Sequence, residues 1–308
     1  MAGAPRIQVA APSFTPLPYG LLSSLWDQVR NPDDPHWTSG VTWESTCAQG
    51  GTTYDECWAV TGTGGAAPAP GSKASTTSIT RRGALPFTVY AEIDCSAPGF
   101  WDRAQDFVTE ALTQSEQWQV ENAIWTGQAG GQSVVWPRLA ANASFVEPAS
   151  GITLGLGATV VSGNSAPMDL VEGWGLLEQA LADCYDGVGV LHVPRNLLAQ
   201  AKHSNLIEDE GGRYRSAGGN LVVFGAGYRG TSPSGTATSG QTWIYATGAM
   251  FVYRGRPQVI PVTESLNRSN NTVKALAERT YLVGWDCCQL GVNISTGGIV
   301  TGAVGAAT

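Results

Sequence analysis

The sequence predicts a mixed α+β chain, and three observations carry that reading. In "LPFTVYAEIDCS" Phe87, Val89, Ala91, Ile93 and Cys95 alternate with Thr88, Tyr90, Glu92 and Asp94. Strict period-two alternation marks a strand with one buried face. Directly after it, "FWDRAQDFVTEALTQSEQWQVENAIWT" places Ala104, Phe107/Val108, Ala111/Leu112, Ser115, Trp118 and Trp125 along one helical face. Between residues 169 and 225, helical patterns then alternate with short apolar strand runs, as in "DLVEGWGLLEQALADCYDG" followed by "VGVLHV".

Residues 1–40 are punctuated by proline, with one short apolar helical candidate, "GLLSSLWDQVR", before the breaking run "RNPDDPHW". They read as an extended arm rather than a core element, with disorder as the competing reading. From 41 to 95 the pattern is two extended limbs, "VTWESTC" and "LPFTVYAEIDCS", around the Gly/Pro/Ala-rich tip "TGTGGAAPAPGSKAS". A long projecting hairpin follows, and two strands alone are marginal in water, so it needs a neighbour to lie on. The helix over 98–126 takes Ser96 as its cap and Pro98 in its first turn, and stops at Gly127. Residues 128–165 read as short strands and turns. Beyond the α/β region, "NLVVFGAG", "TWIYATGAMFVYRG", "PQVIPVTES" and "SNNTVKALAERTYLVGWDCCQLGVNIS" supply β-structure around the turn "LNRSNN". The last stretch, "TGGIVTGAVGAAT", is small-residue and frayed.

Only 14% of the 308 residues are Asp, Glu, Lys or Arg, against roughly 25% in ordinary soluble domains. Two explanations fit: a protein covered on most sides by copies of itself, or a Ser/Thr/Gly-rich β-protein with a neutral surface. The formal net charge of −8 argues against direct electrostatic gripping of nucleic acid. No secretory leader and no stretch of about 20 apolar residues is read, so neither export nor a membrane span is expected. The six cysteines (Cys47, Cys57, Cys95, Cys184, Cys287, Cys288) form no CxxC and are expected to be reduced and mostly buried.

The chemical motifs are weak. "GAGYRG" (225–230) satisfies G-x-G-x-x-G, but it leads into "TSPSGTATSG", which cannot be the phosphate-binding helix that the fingerprint requires. The three histidines, His36, His192 and His203, have no ligand spacing, so no metal site is expected. His192 reads as a packed core histidine. There is no G-x-S-x-G elbow and no Walker A sequence. No catalytic residue, cofactor or enzymatic activity is assigned. The oddest feature is Glu278-Arg279 in the middle of a strand. Adjacent strand residues point to opposite faces, so they cannot form one catalytic pair, and each needs its own partner across the sheet or on another chain.

This order of parts resembles the major capsid protein of tailed bacteriophages, the Hong Kong 97-like fold shared with encapsulin shells. The most specific pieces are "LPFTVYAEIDCSAPGFWDRAQDFVTEALTQSEQWQVENAIWTG" and "ESLNRSNNTVKALAERTYLVGWDCC", which look most like capsid proteins of actinobacteria-infecting phages. The resemblance implies an arm (1–40) and an extended loop (41–90) lying over the adjacent subunit. It also implies a peripheral domain (91–150 and 246–285, spine helix 98–126), an axial domain (151–245 and 286–295) and a flexible tail (296–308). It implies self-assembly into hexamers and pentamers of an icosahedral shell, in a virion assembled in the host cytoplasm and enclosing double-stranded DNA without sequence-specific binding. A separate scaffolding protein, a portal and decoration proteins are its possible partners, and no membrane is involved. Lys73, Arg81, Arg82, Asn270, Glu278 and Arg279 are the candidate subunit contacts. Lys73 and Asn270 sit near the positions that some members join by isopeptide bonds, but the catalytic glutamate position falls on Ala277, which speaks against cross-linking. An encapsulin-like compartment is the alternative with the same fold; a hydrolase or carbohydrate-binding β-protein is the alternative from another class. On the capsid reading, Arg279→Glu is expected to block assembly and leave the subunit folded.

Overall fold

The computed structural model describes residues 13–45, 80–96, 103–133, 135–161, 166–236, 238–260, 266–267, 269 and 271–296. Two sheets share one long helix. The six-stranded sheet is built on the strand Thr272–Trp285, fourteen residues long. It pairs antiparallel with Phe87–Ser96 over ten positions, from Thr272 opposite Ser96 to Tyr281 opposite Phe87. On its other edge run Met250–Arg254, Gln258–Ile260 and Leu266–Asn267.

This pairing corrects one expectation. The outgoing limb Val41–Ser45 pairs with Thr80–Ala84, and Phe87–Ser96 is not its hairpin partner. Leu85-Pro86 separates the two strands; proline removes a ladder donor and breaks the run. Beyond that break, Phe87 and Val89 turn inward and are 6% and 5% exposed, an apolar row that a free hairpin could not hide. The hairpin tip, 46–79, lies outside the described residues, and so does Lys73.

Helix α2 (Ala104–Thr126) lies across the inner face of this sheet. Its 23 residues span about 35 Å at 1.5 Å each. Ala104, Val108, Leu112, Val120, Ile124 and Trp125 are buried, whereas Phe107 turns outward at 46% exposed. Against them the long strand sets Ala275 and Ala277, both buried, whose small side chains let the helix lie close. The helix stops where expected: Gly127 has φ +77°, a left-handed cap that favours glycine, and its N–H reaches the Ala123 carbonyl at 2.7 Å. It begins at Ala104, and residues 97–102 before it are not described.

The seven-stranded sheet runs Ile207–Asp209, Tyr214–Ser216, Leu221–Gly225, Val190–Pro194, Gln241–Thr247, Gln289–Ser295 and Thr159–Val160. Val190–Pro194 and Leu221–Gly225 are parallel; the neighbouring pairs through Gln241–Thr247 to Gln289–Ser295 are antiparallel. Both faces are covered. Leu191, Val193, Val222, Phe224 and Ile244 pack with helix α3 (Leu170–Tyr185), while Val190, Val223, Trp243 and Tyr245 join the core around α2. A sheet buried on both sides reads as a continuous apolar run, which is the pattern of "NLVVF".

The amino-terminal segment departs most from expectation. The helix candidate 20–30 shortens to α1 (Leu21–Ser24), and Val29–Arg30 then joins Met250–Arg254 as a parallel strand. Leu21 is 0% and Leu25 2% exposed, and Trp37 is buried beside Ala84 and Leu282. Leu21, Leu25 and Trp37 thus anchor residues 19–40 as a strap on the chain's own body, while 13–18 stay exposed. Apolar side chains of this size each gain roughly 1.5–3 kcal/mol from full burial, enough to hold a short segment down. The expectation of reduced cysteines also changes. Cys184, in the last turn of α3, is disulfide-bonded to Cys288 with a Cα–Cα distance of 6.2 Å, and Cys287 is likewise in disulfide linkage. The end of α3 and the turn that opens Gln289–Ser295 are brought together by the fold, within the span that a disulfide needs.

Candidate functional site

The inner face of the long strand resolves the Glu278-Arg279 puzzle. Arg279 turns toward α2 and forms an ion pair with Glu116, their side chains 14% and 12% exposed. The Tyr281 hydroxyl donates to the same Glu116 oxygen at 2.7 Å. Burial, and then the Glu116 charge, push the Tyr281 phenol well above its usual range. Arg279 therefore finds its partner within the chain, on the helix beneath the sheet, a choice not weighed from sequence. A charge reversal there strikes the fold itself, so the expectation that Arg279→Glu leaves the subunit folded is withdrawn.

Glu278 sits on the opposite face, in register with Tyr90 and Gln258, and makes no hydrogen bond or ion pair among the described residues. Around it lie Tyr90, 56% exposed, Leu276, and Glu92, which pairs with Lys274 at 3.5 Å. Farther along the strand the same face is covered, where Leu282, 0% exposed, packs with Trp37 and Ala84. Arg81 is exposed at the base of the hairpin, opposite Glu44 in register, with an N–O separation of 3.8 Å. Arg82 points the other way, its Nε buried without a partner among the described residues. Burial holds its guanidinium below the usual value, an effect that nearby Asp286 offsets in part. Asn270 and Lys73 lie outside the described residues.

A second buried carboxylate went unnoticed in the sequence. Glu121 is 0% exposed and joins three parts of the molecule. One carboxylate oxygen accepts the Leu21 N–H of the strap at 2.9 Å; the other accepts the Gly227 N–H at 2.8 Å. Gln117, one turn earlier, accepts the Ser23 N–H at 3.2 Å and donates to the Leu17 carbonyl at 3.1 Å. Arg195 adds a bond to the Pro18 carbonyl at 2.7 Å. Burial pushes the Glu121 carboxyl up to about 7, against the N–H donors of Gly227 and Leu21 and the charge of Arg195, which favour the ionised form. The available signal was spacing: Glu121 is three residues after Trp118 and four before Trp125, on the apolar stripe itself.

The glycine-rich "GAGYRG" loop now has a physical account. A Cβ on Gly227 would stand 2.2 Å from the Trp118 carbonyl oxygen, so only glycine allows the loop to lie this close to α2. The loop does meet an anion, but it is the carboxylate of the chain's own helix. Next to it, Tyr228 and His192 form a closed buried pair, with the His192 Nδ1 2.9 Å from the phenol oxygen and Nε2 3.1 Å from Thr247 Oγ1. Burial lowers His192 to about 3 and raises Tyr228 well above its usual value, so both stay neutral. His192 is a core histidine, as read from the sequence. Among the described residues no group of three His, Cys, Asp or Glu side chains could hold a metal, and no helix is long and apolar enough to cross a membrane.

No family model and no curated protein matches the chain. Solved structures do. The capsid of a native GTA particle, computed with C5 symmetry, matches at a TM-score of 0.54 with 12% identity, over 96% of this chain and 96% of that one. The capsid of the empty GTA particle matches at 0.50 with 14% identity, over 93% and 95%. A Mycobacterium phage Ogopogo structure aligns at 0.48 with 12% identity, over 95% and 96%. The chain has a capsid fold. The α+β, Hong Kong 97-like architecture expected from the order of its parts is the architecture found.

Proposed function

We propose that this chain is a major capsid protein, the subunit that tiles into an icosahedral shell around the double-stranded DNA of a tailed phage or phage-like particle. The observation that carries this reading is the end-to-end match, 96% of each chain, to a capsid solved with five-fold symmetry. The low charge content and the exposed part of the outer sheet face around Tyr90 support it, since a tiled subunit hides surface that a solitary protein must solvate. On this reading the seven-stranded sheet and its helices belong to the axial domain (151–245 and 286–295). The six-stranded sheet with α2 belongs to the peripheral domain (91–150 and 246–285). Residues 41–90 begin as the extended loop, and 296–308 form the tail. Arg81 and Glu278 are the contact candidates best placed to meet a neighbour, with Lys73 and Asn270 as further ones. A scaffolding protein, a portal and decoration proteins would complete the particle.

Electron microscopy of the expressed chain, alone and with the scaffolding partner, tests the proposal. Closed particles, or rings of five and six subunits, are expected. A monomer at every concentration in both preparations overturns it.

A further inference from the structure

We propose that Glu121 is a proton-operated clasp that holds the amino-terminal strap and the glycine loop together on helix α2, so that both loosen in concert when its carboxyl ionises. The geometry makes the coupling. The two oxygens of one side chain accept N–H groups from two segments that lie more than 200 residues apart, Leu21 at 2.9 Å and Gly227 at 2.8 Å. Neither segment has room to adjust alone. A Cβ at Gly20 would stand 2.6 Å from a Glu121 oxygen, and one at Gly227 would stand 2.8 Å from the Glu121 Cβ. The strap also touches the seven-stranded sheet beside the clasp: the Phe224 N–H donates to the Tyr19 carbonyl at 2.7 Å, and the Tyr19 and Tyr214 rings stack at 4.0 Å. Releasing Glu121 therefore removes a shared support from strap, helix and sheet at once.

Few other charges lie near this carboxyl among the described residues. From the short 3-10 turn Arg195–Leu197, just before α4 (Leu198–His203), comes Arg195, committed to the Pro18 carbonyl at 2.7 Å. From the glycine loop come Tyr228, neutral, and Arg229, bonded to Asn122 Oδ1 at 2.9 Å and lying over the Trp118 ring. From the seven-stranded sheet comes His192, neutral. From α2 itself, Glu116 is paired with Arg279. From the strap, Asp27 is paired with Arg213 at 2.9 Å. Among these groups Glu121 is the one poised to change charge near neutral pH, because burial raises its carboxyl to about 7. A group raised in the folded state binds its proton more tightly there than in the open state. The clasp is thus firmest below the ordinary carboxyl value and weakens as pH rises through about 7.

Hydrogen–deuterium exchange of the full chain, corrected for the intrinsic rate, tests this at about pH 5.5 and about pH 8.5. In the wild type, opening of residues 17–28 and 225–230 is expected to rise together, by tenfold or more on the order-of-magnitude linkage argument, while α3 stays unchanged. In Glu121→Gln the two segments are expected to show the same protection at both pH values. Retention of the pH response in Glu121→Gln overturns the proposal. If that variant does not fold, the wild type alone decides: a pH response in one segment without the other, or none beyond that of α3, overturns it. Failure to form shells would sink the capsid reading and leave this result untouched.

Discussion

Helix α2 carries two buried carboxylates five residues apart, and their surroundings differ in kind. Glu116 faces the six-stranded sheet and meets a permanent cation, Arg279, together with the Tyr281 hydroxyl. Glu121 faces the strap and the glycine loop and meets backbone N–H groups, with the nearest cation, Arg195, already bonded to a carbonyl. Burial disfavours a charge in both places, but a cation in contact offsets that penalty far better than amide dipoles do. One carboxylate therefore has a cation in contact to offset its burial, and the other has mainly amide dipoles and is pushed up to about 7. The first locks the helix to its sheet; the second makes the attachment of two distant segments depend on a proton.

The largest way to break that contrast is to reverse Arg279. Arg279→Glu sets two buried carboxylates against each other and strands Glu116, and loss of a buried partner costs about 3–5 kcal/mol. A marked drop in the denaturant midpoint of the chain is expected. Replacing the pair together, Glu116→Leu with Arg279→Met, leaves no charge to desolvate but strands the buried Tyr281 hydroxyl, so a loss of about 1–3 kcal/mol, smaller than that of the reversal, is expected. If the double variant is as unstable as the reversal, the ion pair is not what the single variant destroyed.

The second effect is smaller and depends on pH. A Glu121 carboxyl raised from its ordinary value to about 7 contributes stability below that ordinary value, and the contribution is lost as pH rises through about 7. The span corresponds to roughly 3 kcal/mol at most. Chemical denaturation at about pH 5.5 and about pH 8 should show the wild type losing part of this, and Glu121→Gln losing none of it. An equal loss in both proteins would assign the pH effect to other groups.

Much of this arrangement was legible in the sequence, because local patterns wrote it. The alternation of 87–95 and the stripe of α2 each report which face is buried, and the left-handed cap at Gly127 follows from the residue alone. Pairing is a different matter. "VTWES" and "LPFTVYAEIDCS" both look like strands, and no periodicity says that one takes "TRRGA" and the other takes a strand nearly 200 residues on. Arg279 illustrates the same limit: its odd placement was visible, but its partner lay on a helix far away in the chain. Glu121 was missed for the opposite reason. It sat unremarked on the apolar stripe between Trp118 and Trp125, where an unpaired carboxylate signals a specific partner. The strap was misjudged because proline-rich composition measures the absence of regular structure, not the absence of burial.

The smallest expected effect on stability separates two neighbours in the chain. Glu278 and Arg279 are consecutive, yet one faces outward beside Tyr90 and the other inward on Glu116. Glu278→Lys touches no core group, so the unfolding midpoint of the chain should move by no more than about 0.5 kcal/mol. If the outer sheet face meets a neighbouring copy, the same substitution reverses a charge at that contact, and like-charge or unmatched placements at an interface suppress association. Normal stability with a reduced yield of closed particles is therefore the expected outcome, read by denaturation and by electron microscopy on the same preparation. The charge-free double variant at 116 and 279 should do the reverse and assemble normally, because nothing on the outer face has changed. Were Glu278→Lys to assemble as the wild type does, this face would not be a subunit contact, and the sequence's most conspicuous charge pair would have only its inward half explained.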